Sequence, residues 1–151
     1  MLSPFPNTVK VQFDRTKARA KVSLVRVLVV EDFAQLRQFV CAALGNRQDL
    51  QVVGEASDGL EAVQKAVELK PDLVLMDIGL PSLNGIEAAR RIRELVPETK
   101  ILFLSQETSA EVIQEALSLG TSGYVVKVNA GIELVPAIDA VVSGERFVSQ
   151  I

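Results

Sequence analysis

The 151-residue chain contains no histidine and no tryptophan, and only one cysteine and one tyrosine. Without imidazole there is no Ser-His-Asp hydrolysis, no histidine general base and no zinc site of the histidine type. The lone Cys41 allows no internal disulfide, which points to a reducing compartment such as the cytoplasm. It shares an apolar face with Phe33, Leu36, Val40 and Leu44 and reads as core packing rather than redox chemistry. No apolar run approaches the ~20 residues of a membrane-spanning helix, so no membrane contact is expected. Residues 1–24 carry Lys10, Arg15, Lys17, Arg19 and Lys21 against Asp14 alone, without the apolar core of a secretory signal. They read as a basic, poorly ordered N-terminal arm. A net charge of −3 argues against direct nucleic-acid binding by this chain.

Against these absences stand short apolar runs, each stopped by a polar residue. Val25–Val30 stops at Glu31–Asp32, Gln51–Ala56 at Ser57, Leu73–Met76 at Asp77, Ile101–Leu104 at Ser105, and Gly123–Val126 at Lys127. Runs of this length read as strands buried on both faces. Between them lie segments with helical apolar spacing: Ala34–Leu44, the stripe from Leu60 to Leu69, Ile86–Leu95, Ala110–Leu119 and Ile132–Val142. Gly45–Asn46, Pro71, Pro97 and Gly120 stop four of them, and Asp58 is placed to cap the second. On the third, Ile86, Ala89, Ile92 and Leu95 are expected inside, with Arg90, Arg91 and Arg93 on a solvated face.

Strand alternating with helix predicts a doubly wound α/β domain with a five-stranded parallel sheet in the order 2-1-3-4-5, a flavodoxin-like fold. In such folds the chemistry collects at the carboxyl ends of the strands. That rule brings together Glu31, Asp32, Asp77, Ser105 and Lys127. Three clustered carboxylates repel unless a cation compensates them, and an all-oxygen set suits Mg²⁺. Magnesium welcomes phosphoryl oxygens, so Asp77 can serve as a carboxylate nucleophile on phosphorus. Lys127 and Ser105 would then meet the new charge. The loop Gly79–Gly85 follows, with Pro81 shaping a turn and Asn84–Gly85 expected to start the next helix clear of the site.

The stretches VLVVED, LVLMDIGLPSLNG, ILFLS and GYVVK, at these separations, resemble the receiver domain of two-component response regulators. The resemblance runs from Val25 to about Val148, with 25–144 as the domain and 145–151 as the start of a linker or C-terminal tail. It implies that Asp77 accepts a phosphoryl group from a histidine kinase or phosphotransfer protein. It further implies that Glu31, Asp32, Asp77 and the Gly79 carbonyl serve a Mg²⁺ site, with Glu31 acting mainly through water. Ser105 and Tyr124 would form a switch pair that alters the face of the fourth helix, fifth strand and fifth helix. That face, or the first and fifth helices, would serve a homodimer. Lys127 is followed by Val128 where many relatives have proline, so a trans bond is expected, as in the branch with a LuxR-type helix-turn-helix output. Gly79 and Glu107 also flank the phosphoacceptor and bear on how long an acyl phosphate survives.

A flavodoxin would need a glycine- and hydroxyl-rich loop where Glu31–Asp32–Phe33 stands, and no G-x-G-x-x-G follows the first strand as a dinucleotide domain requires. A cobalamin domain would need a ligand histidine, and a phosphatase a lid. Two outputs stay open: control of transcription through a DNA-binding domain beyond this chain, or a stand-alone receiver acting in a phosphorelay or by protein interaction.

Overall fold

The computed structural model describes residues 24–150. The basic arm therefore lies, apart from Leu24, outside the described residues. The elements run β1 (Val25–Val30), α1 (Ala34–Gly45), β2 (Leu50–Ala56), α2 (Gly59–Leu69), β3 (Leu73–Met76) and α3 (Gly85–Leu95). They continue with β4 (Lys100–Ser105), α4 (Ala110–Ser118), β5 (Gly123–Val126), a 3₁₀ turn (Lys127–Asn129), α5 (Ala130–Val142) and β6 (Phe147–Val148). All strand pairs are parallel, in the order β2-β1-β3-β4-β5-β6.

The doubly wound fold is as expected, but the sheet has six strands rather than five. The added strand β6 pairs Phe147 with Gly123 and Val148 with Tyr124, within the stretch expected to begin a linker or tail. Two residues after a turn carry no period for a sequence pattern to reveal.

Alternation within the strands divides the core in two. Leu28, Val30, Val74, Met76, Ile101, Phe103 and Tyr124 face one side and pack with Ala62, Ala66, Ala89, Ile92 and Ala116 of α2, α3 and α4. Val27, Val29, Leu73, Leu75, Leu102, Leu104 and Val125 face the other, against Val40 and Leu44 of α1 and Leu134 and Ile138 of α5. Both faces of the sheet are covered, which is why its strands read as unbroken apolar runs. Cys41 packs half-buried against this second layer, and burial pushes its thiol up from the ordinary value.

Three helices open on side-chain caps. Asp58 accepts from the Glu61 amide at 2.8 Å, Asn84 from Glu87 at 3.0 Å, and Ser109 from Val112. Several inward assignments need correction. Phe33 precedes α1 in extended conformation and is exposed, and Leu95 ends α3 exposed on its last turn. The apolar face of α2 is also narrower than its stripe suggests, because Leu60 and Val67 look outward. On α3, Arg90 and Arg91 pair with Glu87 on the surface. Arg93 instead turns back to donate to the Pro97 carbonyl at 2.9 Å. The final helix begins at Ala130, two residues before the expected Ile132, and leaves Ile132 exposed.

Candidate functional site

The site forms where β1, β3, β4 and β5 end side by side. The Glu31 amide still donates to Ala56 of β2 at 3.0 Å, so this residue extends the sheet and its side chain is buried. Asp32, one step on, is exposed. Glu31 Oε2 accepts from the Phe33 amide at 3.0 Å, which bends the chain into α1. Asp77 is likewise held by the sheet, its amide donating to Val30 at 3.1 Å, and only 5 % of its surface is exposed. Its Oδ1 accepts from the Ile78 amide at 2.7 Å.

Lys127 enters from the end of β5 and meets both buried acids. Its Nζ lies 2.9 Å from Glu31 Oε1 and 3.1 Å from Asp77 Oδ2. Burial alone would pull this ammonium down, but the contacts with Glu31 and Asp77 outweigh it and hold the pKa above the ordinary lysine value. Glu31 is pushed above the usual carboxylate range, first by burial and then by the charge of Asp77, despite the Phe33 amide and Lys127. One ammonium does not balance three acids.

Oxygen atoms of Glu31, Asp32 and Asp77 all lie within 4.8 Å of one another. The buried Oε1 of Glu31 is met by the Lys127 ammonium alone, the same ammonium that serves Asp77. An excess of clustered carboxylate oxygens over one shared ammonium is a donor set that fits a hard divalent cation. Gly79 borders the same cleft of about 320 Å³, together with Phe33, Leu36, Ser105, Gln106 and Glu107. A larger groove of about 420 Å³ between α3 and α4 shares Gly79 and Glu107 with it.

Ser105 ends β4 buried, and its Oγ accepts from the Glu107 amide at 3.2 Å. Tyr124 on β5 is fully buried, its ring centroid 6.1 Å from that of Phe103, and its hydroxyl donates to the Glu107 carbonyl at 2.8 Å. Burial pushes its phenol up from the usual value. Thus Glu31, Asp32, Asp77, Gly79, Ser105 and Lys127 converge on one cleft, and Tyr124 stands behind it. Every peptide bond among the described residues is trans, Lys127–Val128 included.

The start of α3 departs from expectation. Gly85 is not clear of the site: its amide donates to Ile78 at 2.7 Å, and a Cβ here would meet the Asp77 carbonyl. Two polar residues escaped the sequence reading. Arg37 donates to the Glu31 carbonyl at 2.7 Å and to Glu55 Oε1 at 3.1 Å, bracing the acidic turn against β2. Its signal was available as a lone arginine one turn into a helix that follows two acids. Ser149, buried beside β5, gave no such signal.

The chain is similar to known proteins over most of its described length. The model of the response regulator receiver domain matches residues 27–139. A protein-glutamate methylesterase/protein-glutamine glutaminase of Thermotoga maritima is 43% identical over 113 residues, covering 74% of this chain and 33% of that protein. The response regulator GacA of Pseudomonas viridiflava is 37% identical over 126 residues, covering 83% of this chain and 59% of that one. A crystal structure of a LuxR-family two-component response regulator from Aurantimonas sp. SI85-9A1 superposes with a TM-score of 0.79 at 35% identity, covering 84% of this chain and 90% of that one. The chain thus spans from one third to three fifths of the curated relatives' own length. In the methylesterase the matched part is the receiver domain alone. Fold, strand-end acids and matched family together assign the chain: it is a response regulator receiver domain of two-component signal transduction.

Proposed function

We propose that Asp77 is the phosphoacceptor of this receiver. The observation that carries the reading is a buried aspartate at the end of β3 whose Oδ2 faces a lysine, beside two further acids. A carboxylate oxygen of Asp77 attacks phosphorus in a phosphohistidine. The O–P bond forms as the P–N bond breaks, and the imidazole leaves with the electron pair. Lys127 is placed to pair with the incoming phosphoryl oxygens, and Ser105 at the neighbouring strand end to donate a hydrogen bond to one of them. Glu31, Asp32, Asp77 and the Gly79 carbonyl would hold Mg²⁺, with Glu31 acting mainly through water. When bound, the ion neutralises the carboxylates and the transferring group.

Ser105 and Tyr124 form the switch pair of this reading. With the ring already inward and its hydroxyl on Glu107, the hydroxyl of Ser105 is free to turn from the Glu107 amide toward a phosphoryl oxygen. That local charge event would bias the α4-β5-α5 face, for a homodimer through this surface or through α1-α5. The histidine kinase is the donor, the setting cytoplasmic, and the output DNA binding by a separate domain, as the likeness to a LuxR-family regulator supports.

The test is exposure to a small phosphodonor, or to beryllofluoride, with Mg²⁺. From the phosphodonor, wild type gains one phosphoryl group at Asp77 and Asp77→Asn gains none. Equal incorporation by both, read from intact mass, would falsify the assignment. A stand-alone phosphorelay role is the second reading, and transfer onward to a histidine protein distinguishes it.

A further inference from the structure

Lys127 does its work at the end of a long side chain, so its backbone must be held. The residue before it, Val126, is the last of β5, and the 3₁₀ turn Lys127–Asn129 begins at once. The strand's outer neighbour β6 ends at Val148, before it can satisfy the buried Val126 amide. Ser149 completes the ladder. Its amide donates to the Tyr124 carbonyl at 2.8 Å, and its Oγ accepts from the Val126 amide at 2.9 Å. The same hydroxyl donates to Glu133 Oε1 in the first turn of α5. The Asn129 side-chain amide reaches the Gln150 carbonyl at 3.5 Å. Partners of this one strap therefore stand on both sides of Lys127, at Tyr124 and Val126 before it and at Asn129 and Glu133 after it.

We infer that Ser149 is a positioning residue for Lys127, clamping the end of β5 to the start of α5 so that the ammonium is held over Asp77. The inference rests on the phosphoacceptor reading above. A hydroxyl is required because one group must accept from a backbone amide and donate to a carboxylate at once. Alanine leaves Val126 N–H buried without a partner and Glu133 untethered. The ammonium then loses its fixed approach to the phosphoryl oxygens, while the Glu31, Asp32 and Asp77 oxygens keep theirs. Coupling is reciprocal: if the clamp favours phosphoryl-ready Lys127, a phosphoryl analogue at Asp77 must tighten the clamp.

The test uses the full chain, a saturating small phosphodonor and Mg²⁺. Ser149→Ala should be modified at Asp77 at least about tenfold more slowly than wild type, as misplacement of a charge-stabilising group predicts. Half-saturation by Mg²⁺ should not weaken, since the three carboxylates stay in place and lose only a competing cation, and Ser149→Thr, which keeps the hydroxyl, should restore the rate. In wild type, beryllofluoride should slow hydrogen exchange at the Val126 amide, a readout that survives even if the alanine variant folds poorly. An alanine variant as fast as wild type, or a Val126 amide whose exchange ignores beryllofluoride, overturns this inference alone. A wild-type chain that takes up no phosphoryl group at all overturns the phosphoacceptor reading and this inference with it.

Discussion

Gly85 packs against the backbone of Asp77 so closely that a Cβ on the glycine would stand 1.8 Å from the aspartate's carbonyl oxygen. Helix α3 therefore begins flush beneath the acid, and the Gly85 amide ties back to Ile78. Gly59 at the start of α2 meets the Leu83 carbonyl of the same loop at the same hypothetical distance. The loop after β3 is gripped from two helices, and only residues without a side chain permit it.

Gly85→Ala should accordingly cost about 3 kcal/mol, the upper range for forcing an atom into a packed interior, because the obstacle is backbone rather than a flexible side chain. Urea denaturation measures it. Phosphorylation should fall as well, since relief displaces either the Asp77 backbone or the start of α3 that abuts it. Wild-type stability in this variant would mean that the helix start yields more easily than its hydrogen bonds suggest.

Lys127→Met should expose the charge imbalance of the cleft. The Glu31 and Asp77 side chains are 4% and 7% exposed, and the lysine is their only cationic contact among the described residues. Removing one partner of a buried ion pair costs about 3–5 kcal/mol. Because the Lys127 side chain is 20% exposed, the lower end is expected. Mg²⁺ should raise the melting temperature of this variant by more than it raises that of wild type, since three acids then face no other cation. Scanning calorimetry with and without a chelator gives both numbers.

What the sequence made legible follows from chain order. Each strand end carries its polar residue next to an apolar run, so Glu31, Asp32, Asp77, Ser105 and Lys127 could be named together once a parallel sheet was inferred. Helical spacing places Phe33 on the face of Val40, whereas α1 starts one residue later and leaves it extended at the cleft mouth. Ser149 and the strand before it were invisible for a different reason. Their role exists only through pairing with Tyr124 and Val126, more than twenty residues earlier. Arg37 is intermediate: its type and place are readable, its partners at the end of β1 and on β2 are not.

Arg37→Ala tests that brace. The guanidinium holds the Glu31 carbonyl and Glu55 together, so its loss frees the turn that aims both Glu31 and Asp32. Groups that orient metal ligands without touching the metal change affinity by about 10–100-fold, and the lower value is expected here because Phe33 still anchors Glu31. A Mg²⁺ titration followed by calorimetry should give a dissociation constant about tenfold weaker, with Glu55→Gln weakening it less. An unchanged constant would show the acidic turn to be self-supporting.

Tyr124 offers a spectroscopic probe, being the only tyrosine in a chain without tryptophan. Burial first, then the charges of Glu107 and Asp77, raise its phenol above the ordinary value of 10.0. Above pH 10 the unfolded chain releases this proton while the folded chain keeps it. The unfolded state then binds fewer protons, so the contribution of Tyr124 to stability is full below pH 10 and is lost as pH rises through the raised value. Tyrosinate absorbance of the native protein should therefore appear at higher pH than in a urea-unfolded control. Lys127, also raised, adds a loss of the same sign above its ordinary 10.5. Tyr124→Phe keeps that lysine component, so the difference between the two stability profiles isolates the phenol. Coincident native and unfolded titrations would place the hydroxyl in water rather than on the Glu107 carbonyl, and would remove the inward ring from the proposed switch.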